Sequence, residues 1–454
     1  MAEFILQEVI EATGGNYSGT ARNDTMFTHI STDTRAIETG NLFVALKGDT
    51  FDGHDFLKTA REKGATGAIV EYGRGIDGLV CIEVDSTLQA YQDLARYHRR
   101  RFTIPVVAVT GSSGKTTTKE MIAAVLATKY SVLKTEKNFN NEIGLPKTLL
   151  QLTDKHEACV VEMGMRGLGQ IKELADIAEP TIGVITNVGT SHIELLGSQE
   201  AIAQAKGELI QAIKEDGTAI LNGDDNFVKA MDGLTAGKTI YYGIHRPATV
   251  QGVQLKYRKD GIGFTCRCFD EVFPVTLPMI GEHNVYDALA AITVGRVLGV
   301  PSAKIAKGLA AFAGTPMRQE IVSFPDFVIL NDAYNANPAS MAESIRALGQ
   351  LEGKRKIAML GDMLELGGYT KESHREVGSL LAEEGYSAVF TFGEAAKYIA
   401  KAAKEAGVPI VKPCTSHMEM ANEYLEMAVK GDVILVKGSR GLRMERVVQE
   451  LKER

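Results

Sequence analysis

The most chemically loaded stretch of this chain is VVAVTGSSGKTTTKEMIAAVL, an apolar run that ends in the loop Gly111, Ser112, Ser113, Gly114 and passes through Lys115, Thr116 and Thr117 into a segment with Ile122, Val125 and Leu126 on one helical face. Strand, glycine-rich loop and helix in that order make a phosphate cradle. Glycines let successive backbone N–H groups converge on phosphate oxygens, and the helix N-terminus adds its dipole. In such a P-loop Lys115 reaches the β- and γ-phosphates, and the Thr116 hydroxyl is placed to bind Mg²⁺. The loop departs from the usual G-x-x-x-x-G-K-[ST] because Val109 stands where the first glycine should be.

A phosphate loop does not separate a ligase from a kinase or a switch GTPase. In an open α/β sheet ligands collect beyond the carboxyl ends of the strands, so other strand ends carry the discrimination. ACVVEMG ends in Glu162 and TIGVITNVGTSHIE leads to His192. A carboxylate such as Glu162 suits a hard cation, or caps the next helix; His192 alone reads equally as a packed loop histidine. Lys206 is more informative. In QEAIAQAKGELIQAIK, Ile202, Ala205, Leu209, Ile210 and Ile213 share one face at about 100° per residue, and Lys206 lies inside that apolar stripe. An unpaired ammonium is costly to bury, so Lys206 must snorkel, pair with a carboxylate, or be chemically altered.

The elements that must position these groups follow from length and pattern. At roughly 150 residues per domain, 454 residues predict about three domains. The 44% hydrophobic and 24% charged content exclude disordered and fibrous classes. Fifty Lys and Arg against 57 Asp and Glu give a net charge of −7, the reverse of a general nucleic-acid binder. Phosphate must therefore be held locally. The amino terminus has no basic n-region and no run approaches a membrane span, so neither secretion nor membrane insertion is expected. Five cysteines without a CxxC pair point to a reducing, cytoplasmic setting.

The pattern predicts an α/β protein of three domains. A small mixed α/β N-terminal domain covers 1–102, with NLFVAL, GAIV and LVCIEV as strands around a helix near His54 to Lys63. A central P-loop α/β domain with a parallel sheet covers 103–314. A C-terminal Rossmann-like α/β domain covers 315–454, with FVILNDAY, KIAMLGD, AVFTFG and DVILVKG as strands. Val253, Leu255 and Tyr257 alternate with polar residues, Asp260-Gly261 supplies turn chemistry, and Ile262, Phe264, Cys266 and Cys268 alternate again: a hairpin with both cysteines on a core face rather than on a metal. Arg99 to Arg101 read as a solvated linker face, and Met359 and Met363 as packing residues.

The segments STDTRAIETGNLFVALKGDTFDGHDF, TGSSGKTT, NFNNEIGLPKTLL, VVEMGMRGLGQI, GEHNVYDALAA, DAYNANPASM, LGDMLELG and VKGSRGLRMERVV together resemble the Mur ligase family, ATP-dependent amide-forming enzymes of peptidoglycan precursor synthesis. The resemblance covers nearly the whole chain. Three of these motifs, VVEMGMRGLGQI, DAYNANPASM and LGDMLELG, resemble the branch that joins D-alanyl-D-alanine to a UDP-muramoyl tripeptide. The resemblance implies that Gly111 to Thr117 hold the phosphates of ATP, that Thr116 and Glu162 serve one Mg²⁺, and that His192 with a carbamylated Lys206 supports a second. It further implies an adenine-side contact at Asn284 and closure of the third domain through Arg318 and Asp332. Ser31 and Arg35 would face the UDP end of the substrate, while Asn138, Asn140 and Asn141 would line the reaction centre. For Asn335 and Asn337 beside Pro338, helix capping competes with ligand contact, and Ser31, Asp33 and Thr34 equally suit an ordinary turn.

The implied chemistry makes a carboxylate into an acyl donor by phosphorylating it, with Lys115 and the metals offsetting charge and His192 a candidate base for the amine. The expected partners are small molecules and the expected state is a monomer. Two rivals remain: a sibling amide ligase adding a single amino acid or glutamate, as in folylpolyglutamate synthase, and a P-loop module that binds nucleotide without ligation.

Overall fold

Parallel neighbours need a long crossover where antiparallel ones need only a turn, so short Val- and Ile-rich runs separated by amphipathic stretches fold as strands bridged by helices. The computed structural model describes residues 2–453 except Asp49, Lys259 and Asp260. Near the start β1 (Phe4–Ile5) pairs antiparallel with β2 (Met26–Phe27). Four strands, β3 (Ile30–Ser31), β4 (Leu42–Val44), β5 (Gly67–Glu71) and β6 (Val80–Val84), come next in a parallel sheet in that order.

The next nine strands are β7 (Val106–Thr110), β8 (Val132–Lys134), β9 (Ala158–Glu162), β10 (Ile182–Ile185), β11 (Thr218–Asn222), β12 (Lys238–Gly243), β13 (Val250–Arg258), β14 (Gly261–Cys268) and β15 (Glu271–Leu277). Their sheet order is β15-β14-β13-β12-β11-β10-β7-β9-β8. The last six are β16 (Glu320–Ser323), β17 (Phe327–Asp332), β18 (Arg355–Gly361), β19 (Ala388–Phe392), β20 (Ile410–Cys414) and β21 (Asp432–Lys437), ordered β16-β17-β21-β18-β19-β20. By contacts the chain divides into two compact units, one of residues 1–108, 130–165 and 169–182, the other of 109–129, 166–168 and 183–454.

In the first unit Phe43, Leu57, Ala60, Ala68 and Val70 make the core beside the four-stranded sheet. Arg99 departs from the solvated face expected of Arg99 to Arg101, whereas Arg100 and Arg101 are exposed as expected. Arg99 is 7% exposed and donates to the carbonyls of Ala178, Phe102, Ile104 and Glu179. Arg100 pairs with Glu179, and Arg101 pairs with Glu8 and lies over the Phe4 ring. Ala178 and Glu179 close the helix Gln170–Ala178, whose last carbonyls lack intrahelical partners and attract a guanidinium donor.

In the second unit four helices carry the polar groups of interest or the surfaces they pack on: α1 (Lys115–Leu126), α2 (Gln199–Gln211), α3 (Glu282–Val297) and α4 (Pro338–Leu348). Helix α3 is buried nearly all round, consistent with its lack of a polar face, and packs on α1. Strands β13 and β14 form the expected hairpin, with Cys266 and Cys268 buried beside Ile262 and Phe264. Its alternation is irregular, because the register shifts between Val253 and Lys256, Gln254 takes a φ of 55°, and Tyr257 is exposed. Asp260 of the expected turn lies outside the described residues.

The six-stranded sheet feeds cores on both faces. Leu330, Ala358, Leu360 and Leu435 enter one cluster, whereas Ile329, Ile357, Met359 and Ile434 enter the other, as period-two alternation requires. Central β21 is buried throughout. The two edges, β16 and β20, lack long apolar runs; β20 contains Pro413, which an edge strand tolerates.

Candidate active site

The strand β7 delivers its end to the phosphate loop, and backbone conformation explains the loop's composition. Gly111 has a φ of 155° and a Cβ there would fall 1.8 Å from Thr186 Oγ1. Gly114, at the N-cap of α1, has a φ of 78°. The loop is gripped from the end of β10: Ser112 N donates to Asn187 O at 3.0 Å, Ser113 N donates to Asn187 Oδ1 at 2.9 Å, and Ser113 O accepts from Thr186 Oγ1 at 2.6 Å. Lys115 Nζ donates to Gly111 O at 2.8 Å, so its ammonium lies over the loop. Thr116 and Thr117 are buried in the first turn of α1, whose amides have no carbonyl four residues back within the helix.

His192 and Lys206 lie in the same unit as this loop. His192 sits after β10 with a φ of 63°, and its Nδ1 is 2.6 Å from Glu365 Oε2, while Arg166 donates to Glu365 Oε1 at 2.6 Å. Burial lowers the His192 pKa, Lys115 and Lys206 push the same way, and Glu365 opposes them. Glu365 itself is held below the usual carboxylate range by Arg166 and His192 against the pull of burial. Lys206, on α2, is 2% exposed and has no hydrogen bond or ion pair among the described residues. Among the described residues it neither snorkels nor pairs with a carboxylate. Burial drives its pKa well below the ordinary lysine value, and Lys115 adds to the effect. Burial and the nearby Lys115 charge both disfavour the ammonium form.

Beneath the loop lies a group that the sequence motifs did not single out. Asp287, on α3, accepts from Thr118 Oγ1 at 2.7 Å, and a Cβ on Gly114 would fall 2.7 Å from its Oδ1. Burial pushes its pKa up to about 8, Glu343 adds to the rise, and Thr118 and Arg318 oppose it. Between an ordinary carboxylate pKa of 3.8 and about 8 the folded state thus binds the extra proton, and stability falls as pH rises through that window. Asp287→Asn keeps the acceptor for Thr118 and removes the titration. We expect this variant to be more stable than the parent at pH 8, by about 1–3 kcal/mol, with the gap closing toward pH 4. Denaturation curves at a series of pH values that run parallel for the two proteins would refute this.

A second polar cluster forms where β17 and β21 end. Asp332 is held by Lys437 Nζ at 2.5 Å, Ser344 Oγ at 2.6 Å and Gln319 N at 3.2 Å. Arg318 stacks over the Tyr334 ring at 4.1 Å, between Met317 and Gln319, both at positive φ. Asn284 opens α3 and donates to Gln319 Oε1 at 2.8 Å and to Ile280 O at 2.6 Å, which ties the helix to this linker. Among the described residues no three His, Cys, Asp or Glu side chains gather into a metal cage.

The remaining sequence-derived residues lie in the first unit. Glu162 ends β9, is 3% exposed, and accepts from Asn140 Nδ2 at 2.7 Å. The N-cap position of the next helix, Gln170–Ala178, is Gly169. Asn141 Oδ1 accepts from Gly144 N at 2.9 Å, and Asn138 O from Asn140 N at 2.8 Å, so the three asparagines shape one loop. Ser31 Oγ accepts from Asp33 N, and Arg35 makes a bidentate pair with Asp33, which is the turn geometry considered for STDTR. Arg35 itself is largely exposed.

Comparison with known proteins places this geometry. Residues 26–106 match the Mur ligase family catalytic domain, 109–295 the Mur ligase middle domain, and 317–440 the Mur ligase glutamate ligase domain. The UDP-N-acetylmuramoyl-tripeptide–D-alanyl-D-alanine ligase of Bacillus subtilis is 39% identical over 100% of this chain and 99% of its own length. The chain belongs to the Mur ligase family. The ligase of the same name from Escherichia coli is 33% identical over 100% of this chain and 99% of its own length. A crystal structure of MurF from Acinetobacter baumannii superposes with a TM-score of 0.92 at 32% identity, covering 100% of this chain and 99% of that one. MurF ligase from Thermotoga maritima, solved in complex with ADP, gives a TM-score of 0.85 at 32% identity over 94% and 97% of the two chains.

Within this Mur ligase several site residues escaped sequence reasoning. Thr186 and Asn187 stand at a strand end beside His192, so the rule that led to His192 also covered them. Asp287 is an acid in an otherwise apolar stretch, NVYDALAAI, and Lys437 is a charge closing the apolar run DVILV; both break a pattern. Glu365 and Arg166 lie in the motifs LGDMLELG and VVEMGMRGLGQI, but their pairing with each other and with His192 joins segments far apart in sequence.

Proposed function

We infer that this chain is an ATP-dependent, ADP-forming ligase that joins D-alanyl-D-alanine to UDP-N-acetylmuramoyl-tripeptide, completing the pentapeptide of a peptidoglycan precursor. The observation that carries the inference is the full-length likeness, at 39% identity, to a relative of that name. The site supports it chemically. The tripeptide's terminal carboxylate oxygen attacks the γ-phosphorus, the bond to the β–γ bridging oxygen breaks, and ADP leaves with that electron pair. The resulting acyl phosphate is then attacked by the dipeptide amine, the acyl carbon–oxygen bond breaks, and phosphate departs as the amine loses a proton. Lys115, over Gly111 O, offsets charge on the transferring phosphoryl group.

Hydroxyl and carboxylate oxygens are the donor types that Mg²⁺ takes. We assign Thr116 and Glu162 to one Mg²⁺ and His192 with Lys206 to a second, and Mg²⁺ when bound would neutralise phosphate charge. Lys206 suits this role only if modified. A buried, unpaired amine with a depressed pKa is nucleophilic toward carbon dioxide, and forming the N–C bond with loss of a proton gives a carbamate, an oxygen ligand. Asn284, Arg318 and Asp332 we place on the nucleotide, Ser31 and Arg35 on the UDP end, and Asn138, Asn140 and Asn141 near the reacting carboxylate. On this reading residues 1–102 take the UDP substrate, 103–314 ATP and metals, and 315–454 the dipeptide, in a monomeric cytoplasmic enzyme. No helix among the described residues is long and apolar enough to cross a membrane.

The acyl phosphate is testable by isotope transfer. With ¹⁸O in the tripeptide's terminal carboxylate, one label should appear in each phosphate released; phosphate free of label would exclude the intermediate.

A further inference from the structure

Asn337 precedes α4 as its N-cap, and its Oδ1 accepts from Ser340 N at 2.9 Å. That bond fixes the amide plane. With the oxygen turned toward its own helix, the Nδ2 hydrogens must face away, and they meet Ser191 Oγ at 2.8 Å and Ser113 Oγ at 3.2 Å. Ser113 belongs to the phosphate loop, and Ser191 precedes His192. Capping and contact with the phosphate loop are therefore two halves of one arrangement. The segment that carries Asn337 also seats closely here, since a Cβ on Gly189 would lie 3.9 Å from Ala339 Cβ.

The chemistry of the two acceptors is informative. Both are hydroxyls, which rotate and exchange partners freely, whereas the donor is a neutral amide held in one orientation. The amides of Ser112 and Ser113 are already taken by Asn187. On the ligase reading the first turn of α1 and Lys115, whose Nζ lies on Gly111 O, would receive the phosphates, and Ser113 is part of the loop that borders them. A donor locked toward that loop gains a stronger, charge-assisted bond when an anionic oxygen replaces a hydroxyl.

We propose that Asn337 is a specificity-determining catalytic residue whose Nδ2 donates to the terminal phosphate of the nucleoside triphosphate, so that this segment distinguishes a triphosphate from a diphosphate. The assignment rests on the ligase reading above. It gives the release of ADP a structural cause, since transfer of the terminal phosphate removes the group that Asn337 holds. It also explains why an asparagine serves at this cap: Ser and Asp cap a helix equally well, but neither has an amide NH₂ to present on the far side.

The test uses the full-length protein and two nucleotides, ADP and the non-hydrolysable β,γ-imido analogue of ATP, with affinities measured by calorimetry. Asn337→Ser keeps a capping oxygen and stays neutral; Asn337→Asp keeps it and adds a charge. Thermal midpoints near that of the parent will show that the cap survives in both. For Asn337→Ser we expect roughly tenfold weaker binding of the triphosphate analogue with ADP affinity changed less than about twofold. Asn337→Asp should lose more for the analogue, roughly a hundredfold, again with the smaller loss for ADP. Equal losses for both nucleotides would assign Asn337 to loop shape and overturn the proposal, as would unchanged affinities in both variants. A parent protein that binds both nucleotides with the expected preference but forms no amide would overturn the ligase reading alone.

Discussion

Lys206→Ala is expected to lose turnover by roughly a hundredfold or more, the scale seen when one preorganised charge-stabilising group is removed from a reaction centre. The physical reason begins with burial. A lysine that is 2% exposed, with no hydrogen bond or ion pair among the described residues, on the apolar face of α2, is not a structural salt-bridge partner. Removing it deletes no pairing, so the loss should come without a fall in thermal midpoint. If the amine acts as a carbamate, a short carboxylic acid such as acetate should enter the truncated site and restore part of the rate. Lys206→Arg should stay inactive, because a guanidinium keeps its charge and forms no carbamate. Steady-state rates of the three proteins, with and without acetate, decide the matter; full activity in Lys206→Arg would contradict it.

The second large effect concerns the pair of Asp332 and Lys437. Lys437 is 2% exposed, and Asp332 and the Asn335 carbonyl accept from its ammonium. Asp332→Ala strands that charge in a closed site, and removing one partner of a buried pair costs about 3–5 kcal/mol. Replacing both at once, Asp332→Leu with Lys437→Met, should recover much of the stability, since no unpaired charge remains. Activity should not return, because Asp332 also receives the Gln319 amide and so holds the linker that carries Arg318. Urea denaturation of the single and double variants, alongside turnover, tests both halves. A single variant as stable as the parent would refute the first; a fully active double variant would refute the second.

Legibility in the sequence runs along physical lines. The phosphate loop was legible because a strand, a glycine loop and a helix must be consecutive in sequence to work at all. Lys206 was legible because helical periodicity converts spacing into a face, and a charge on an apolar face is an anomaly wherever the helix ends up. Strands β17, β18, β19 and β21 showed themselves as apolar runs, whereas edge strands β16 and β20 are less apolar and gave no run. Arg99 misled for the opposite reason: a basic cluster looks solvated until the carbonyls it satisfies are known, and those belong to residues as distant as Ala178 and Glu179. Glu365 against His192, and Asn337 against Ser113, were hidden because each joins segments more than 170 residues apart.

The central claim is that the energy of ATP is used here to couple one particular amine. Phosphate release should be followed in the presence of ATP, Mg²⁺ and UDP-N-acetylmuramoyl-tripeptide while the amine is varied among D-alanyl-D-alanine, single amino acids including glutamate, and none. We predict release with D-alanyl-D-alanine, matched mole for mole by a product heavier by that dipeptide less water, and little release otherwise. Release with a single amino acid while the dipeptide is inert, or nucleotide binding without release under any amine, would contradict the account.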